Sequence, residues 1–263
     1  MDQHFTAHNI RLDDGTQTLP SAKFSMEDSP IFNAARRTLN LIYQGNLHGK
    51  TIADLGCLEG GYATEFARLG LESTGLEVRS SNIANCNYVK CNVDLPNLRF
   101  IQDDVMNIGQ YGPFDVLFIC GLLYHLDRPR KFLQKAAEVC RKALIIDTHI
   151  APVEQEAAVD FYKLSGSTTN EGLRGRWYPE YDAVPTGVLD AMKWSSWSNN
   201  QSFWIEKPYL MQTMADLGFD LVFEQFDCER DIAGEYTSGY RRSNSRVFLV
   251  GVRSEAMAIV PKA

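Results

Sequence analysis

The chain has 263 residues, 44% hydrophobic and 22% charged, which suits one α/β domain carrying an insertion and excludes a disordered chain. A formal net charge of −7 argues against a nucleic-acid partner, although Arg174, Arg176, Arg241 and Arg242 could gather into a local basic patch. No run approaches the roughly 18 to 20 apolar residues of a membrane span, and the opening Met1-Asp2-Gln3-His4 lacks the basic and apolar regions of a secretion signal, so a cytoplasmic protein is expected.

Residues 1 to 30 are polar and weakly patterned and read as an arm ahead of a helix at Ile31 to Tyr43. From Lys50 the signals alternate strand, turn, helix, strand, the pattern of a parallel sheet with helices on both faces. The first strand is Thr51 to Leu55, cut off by Gly56, and its helix runs from Gly61 to about Leu69 before Gly70. Further strands are expected at Ser73 to Glu77, Leu98 to Gln102, Phe114 to Cys120 and Ala143 to Asp147, with helices at about Ser80 to Lys90 and Pro129 to Cys140. The last third gives a helix at Lys207 to Leu217 and two strands, near Asp220 to Phe226 and at Arg246 to Val252, close enough in sequence to pair antiparallel.

Residues 152 to 206 interrupt this repeat after the fifth strand. An insertion at the C-terminal edge of an α/β sheet suits a lid or substrate wall, because ligands bind at that edge. The expected divisions are therefore 1–48, arm and helix; 49–151, core; 152–206, lid; and 207–263, the helix and edge strands that complete the core. The six cysteines show no CxxC pair and no zinc-like Cys/His spacing, so neither a disulfide framework nor a metal site is expected.

The turn Asp54-Leu55-Gly56-Cys57-Leu58-Glu59-Gly60-Gly61 places small residues where a strand meets a helix, letting backbone approach a ligand. By itself it signals only a tight connection. Glu77 ends the second strand about 20 residues later, where a carboxylate can accept both hydroxyls of a ribose. Asp104 ends the third strand, where it can take the exocyclic amine of an adenine, and Cys120 and Gly121 end the fourth. Four strand ends converging on one adenosine make a far more specific signal than any one of them.

Asp54 to Gly61, Glu77, Asp103-Asp104-Val105 and Phe114-Asp115-Val116 through Tyr124-His125-Leu126 resemble motifs I to III of class I methyltransferases that use S-adenosylmethionine (SAM). The resemblance covers roughly residues 45 to 150. It implies a doubly wound α/β fold with a seven-stranded sheet, mostly parallel with an antiparallel last strand, and SAM as cofactor. Carried over by position, it sets Gly56, Cys57, Leu58, Glu59 and Gly60 near the methionine and sulfonium, Glu77 and Val78 at the ribose, and Asp103, Asp104 and Val105 at the adenine. A narrower similarity, in Gly121-Leu122-Leu123-Tyr124-His125-Leu126 and in Ser202-Phe203-Trp204-Ile205, is to the branch with tRNA wobble-uridine carboxymethyltransferases and their small-molecule relatives.

Methyl transfer to a hydroxyl needs alignment and a base. His125 after the fourth strand and His149 after the fifth are the candidate catalytic residues, since imidazole titrates in the useful range. His125 also reads as a structural or cofactor-contacting histidine, and His149 as a loop histidine bonded to backbone. Tyr178, Trp194, Trp197, Asn199 and Asn200 give the insertion rings and amides that suit a flat polar ligand. The expected activity is O-methylation of a small hydroxylated acceptor, such as a sugar or phenol; a tRNA- or nucleoside-modifying transferase and a non-catalytic SAM-binding protein remain the alternatives.

Overall fold

In a computed structural model, residues 4–153, 157–182, 188–226 and 246–255 are described. Their strands are β1 (Thr51–Leu55), β2 (Glu72–Glu77), β3 (Leu98–Gln102), β4 (Phe114–Cys120), β5 (Cys140–His149), β6 (Thr168–Asn170), β7 (Leu173–Pro179), β8 (Gln201–Ile205), β9 (Leu221–Glu224) and β10 (Arg246–Val252). The helices are α1 (Pro30–Tyr43), α2 (Gly61–Arg68), α3 (Ser80–Cys91), α4 (Pro129–Val139), α5 (Ala157–Phe161) and α6 (Lys207–Asp216). None of the described helices is long and apolar enough to cross a membrane.

Seven strands form one sheet in the order β3-β2-β1-β4-β5-β10-β9. The first five run parallel, while β10 pairs antiparallel with both β5 and β9. The expected seven-stranded sheet with a reversed last strand is therefore present. β5 outruns the Ala143 to Asp147 expected at both ends: Cys140 pairs with Phe114 of β4, and Thr148 and His149 pair with Val247 and Arg246 of β10. That pairing carries the strand past its apolar run.

Period-two alternation explains how the sheet buries both faces. Leu117 and Ile119 of β4, with Leu144 and Ile146 of β5, pack against Phe132, Leu133 and Ala136 of α4 and Leu210 and Met214 of α6. Val116, Phe118 and Ile145 face the other way, onto Phe32, Ala35 and Leu39 of α1 and Phe66 of α2. α1 starts where Ser29 Oγ accepts the Phe32 N–H and Pro30 takes the first turn, where its missing N–H costs nothing.

Two segments depart from a simple reading of their composition. The polar arm is docked: Phe5, Ile10, Leu12 and Met26 are buried against Ala63 and Ala67 of α2 and Val89 of α3. Its apolar residues are too widely spaced to register as a periodic element. The insertion contains a separate antiparallel sheet, β6-β7-β8, tied to β5 by a bridge from Ala151 to Glu206. Gly175 in β7 is required there, since a Cβ at that position would lie 2.1 Å from the carbonyl oxygen of Trp204. Gly175→Ala should therefore force the β7–β8 pair apart and lower stability by about 2 to 3 kcal/mol, measurable by urea unfolding.

Candidate functional site

The sheet order reverses between β1 and β4, and the carboxyl ends of two such strands form the crevice where ligands bind in open α/β sheets. A cavity of about 280 Å³ lies there. Gly56 and Gly121 leave β1 and β4 with φ of 73° and 72°, so the chain turns away sharply on either side and opens the crevice. At Gly60 (φ 82°) α2 begins, and a Cβ there would meet the Phe100 ring at 2.6 Å. A side chain at this position would thus have to displace the Phe100 ring.

Most of the residues expected from the sequence meet at this cavity. Gly56, Cys57 and Leu58 line it from the first turn, Glu77 and Val78 from the end of β2, Asp104 and Val105 from the end of β3. Cys120, Gly121 and His125 line it from the end of β4. Glu77 is 4% exposed and braces the turn: its carboxylate accepts the Leu58 N–H at 3.0 Å and the Arg79 N–H at 2.8 Å. Burial pushes its pKa up, against the opposing pull of the Arg79 N–H and charge. Asp104 caps the short helical turn after β3 by accepting the Met106 N–H.

The other expected residues stand behind or beside the wall. Asp103 turns to Tyr111 and Asn107, both of which donate to it. Glu59 turns to the arm and accepts the backbone N–H groups of Thr6, Ala7 and His8 at 2.8 to 3.0 Å. Asp54 is 1% exposed, and burial, with a contribution from the Glu77 charge, raises its pKa to about 8. His149 does not line the cavity; it stacks on Trp204 at 4.7 Å and 12°, beside Tyr124 and Tyr162.

Of the other lining residues, Trp194, Trp197 and Asn199 belong to the insertion expected to wall the substrate, whereas Ala7, His8, Arg79 and Arg246 were not anticipated. Ala7 and His8 reach the cavity from the arm, and His8 Nδ1 accepts the Gly61 N–H at 3.0 Å. Residues 193–199 cross the mouth, held by Arg79, whose guanidinium donates to the carbonyls of Met192 (3.0 Å) and Ser195 (2.6 Å) and lies 5.4 Å over the Trp197 ring. Lys193 reaches Glu59 Oε1 at 3.3 Å. Arg246, at the start of β10, is paired with the buried Asp147 through Nε at 2.9 Å. Arg79, two residues beyond Glu77, was the one of these with a positional signal in the sequence.

Two further expectations can be placed. Arg176 is 4% exposed and donates to the carbonyls of Pro152 and Ser165, and Arg174 pairs with Glu206, so both hold the insertion together. Arg241 and Arg242 lie outside the described residues. Among the described residues no group of three or more His, Cys, Asp or Glu side chains is arranged to hold a metal ion.

The docked arm carries a pH dependence. His8 must be neutral to accept from Gly61, and burial lowers its pKa from 6.5 to about 4, against the attraction of Glu59. The unfolded chain takes up that proton first, so the stability His8 contributes is intact above about pH 6.5 and is lost as pH falls towards 4. Asp54 acts oppositely, penalising the folded state as pH rises from 3.8 towards about 8. Comparison with His8→Gln separates the two: thermal melts between pH 7 and pH 4.5 should show a shallower acid-side loss in the variant than in the parent.

The architecture and the cleft are those of a class I SAM-dependent methyltransferase. A SAM molecule suits the residues present: the glycine turn gives close backbone approach, and Glu77 gives a buried carboxylate at the cavity wall. Residues 53–145 match a family described as a methyltransferase domain. The chain is 24% identical over 218 residues to the ubiquinone biosynthesis O-methyltransferases of Yersinia pestis and Yersinia pseudotuberculosis, spanning 80% of this chain and 83% of theirs. Its fold is similar to the N-terminal domain of EvdMO1, crystallised with S-adenosylhomocysteine (SAH) and D-fucose, at a TM-score of 0.63 and 21% identity, covering 91% of this chain and 88% of that one. A second similar fold is magnesium protoporphyrin IX methyltransferase from Synechocystis PCC 6803 with bound SAM, with a TM-score of 0.52, 15% identity and coverage of 85% and 79%. The protein is a SAM-dependent methyltransferase with SAM as its cofactor.

Proposed function

We propose that the protein methylates a hydroxyl oxygen of a small polar acceptor, with His125 removing the hydroxyl proton. One observation carries this reading: His125 lines the cavity, its Nδ1 lies 2.8 Å from the buried carboxylate of Glu180, and Nε2 has no hydrogen-bond partner among the described residues. When bound, SAM supplies an electrophilic methyl group for in-line transfer. His125 Nε2 takes the hydroxyl proton, and the carboxylate of Glu180 stabilises the imidazolium that results.

Around that step, Glu77 accepts the ribose hydroxyls, Asp104 and Val105 receive the adenine, and the backbone from Gly56 to Gly60 faces the methionine end. The arm ahead of α1 and the insertion act as covers on the core, which α1, α6, β9 and β10 complete. The names of the Yersinia relatives, and the structure of EvdMO1 in the presence of D-fucose, favour oxygen as the acceptor atom and a sugar or phenol as its carrier. His149 supports the site through the aromatic cluster behind Tyr124.

The test is transfer of labelled methyl from SAM to a panel of sugars, phenols and nucleosides, with the product's methyl located by NMR. A methoxy product is the expected result. A methyl on nitrogen or carbon, or label entering RNA alone, would overturn the reading.

A further inference from the structure

Glu180 follows β7 directly, and its side chain is 1% exposed. Oε1 faces His125 Nδ1, while Oε2 accepts the Ser196 N–H at 2.9 Å. Ser196 belongs to the stretch across the cavity mouth that Arg79 holds by its carbonyls. The same stretch fixes the backbone of the base, since Asn199 Nδ2 donates to the His125 carbonyl at 3.1 Å. One carboxylate therefore joins the imidazole to the cover.

An ionised carboxylate only accepts hydrogen bonds, so a neutral imidazole facing it carries its proton on Nδ1 and keeps the lone pair on Nε2. The Ser196 N–H occupies the second oxygen and fixes the carboxylate's rotation. When residues 193–199 leave the mouth, Glu180 loses that anchor and the histidine loses its orientation. We propose that Glu180 is a positioning residue that sets the His125 tautomer only while residues 193–199 are seated, so that deprotonation of the acceptor is tied to closure over the cavity. This rests on the assignment of His125 as the base.

The tautomer can be read without any acceptor, by histidine ¹⁵N NMR of the SAH complex at mildly alkaline pH, where an ordinary imidazole is neutral. His125→Gln identifies the signal. In the parent protein Nδ1 should be protonated and Nε2 not. Glu180→Gln is nearly isosteric but offers one acceptor oxygen to two N–H groups, so the pattern should move away from Nδ1–H. Arg79→Gln touches neither ring nor carboxylate, and it should move the pattern the same way by releasing the cover. An Nε2–H parent, or a pattern unmoved in both variants, overturns the proposal.

In turnover, Glu180→Gln should lower kcat by about 10- to 100-fold with the KM for SAM little changed, and Glu180→Asp should recover part of the loss. An unchanged kcat alongside an altered tautomer overturns the catalytic half. If the tautomer follows Glu180 while no hydroxyl is methylated by the parent protein, the positioning stands and the O-methylation reading fails.

Discussion

Glu77→Ala is expected to weaken binding of SAM and SAH by about 100-fold or more, measured by calorimetry. A carboxylate hydrogen bond contributes roughly 1.5 to 3 kcal/mol, and two such bonds to a ribose amount to about 3 to 6 kcal/mol, or roughly two to four orders of magnitude in Kd. β2 delivers the side chain to the cavity between Leu58 and Arg79, whose N–H groups donate to it. Alanine would leave both N–H groups unpaired and loosen the glycine turn. Glu77→Gln keeps the shape and one acceptor and should lose less. A Kd within about threefold of the parent for the alanine variant would remove Glu77 from the cofactor site.

His125→Ala is expected to lower kcat by 100- to 10,000-fold, the usual range for a general base, with little change in SAH affinity. The contrast with Glu77 is diagnostic: one substitution acts on binding, the other on the chemical step. Affinity should survive because the described polar contacts of His125 run to Glu180, Leu122 and Asn199, within the wall of the cavity. If kcat falls less than about fivefold, the base lies elsewhere. If SAH affinity collapses with kcat, His125 is a cofactor contact.

The core of the fold was readable because its signals are local. Phe114 to Cys120 is an apolar run that two covered faces require, and β1, β3, β4 and β10 begin and end where their patterns and turn residues set them. The cavity-lining residues Gly56, Glu77, Asp104 and Cys120 were readable for the same reason, since each ends a strand or lies in the turn after it. What escaped depends on contacts between distant segments. Glu180 and His125 are 55 positions apart and Lys193 and Glu59 are 134 apart, with no periodicity linking either pair. His149 and Trp204 form one stacked pair from two elements, and chain order gave no reason to put that histidine behind the wall. The arm shows the same limit. Its buried residues are separated by polar ones that serve Glu59 and α2, so hydropathy alone concealed a docked segment.

Glu59 has a kinetic consequence. Its carboxylate, held below its usual pKa by the N–H groups of His8, Thr6 and Ala7 despite burial, is also the partner of Lys193. The arm and the stretch across the mouth are thus pinned to one group beside the glycine turn, so a ligand leaving past that turn is expected to need both to let go. Opening of such covers runs on the microsecond-to-millisecond scale. Release of SAH is then expected to slow with added solvent viscosity, while a single methyl transfer is untouched.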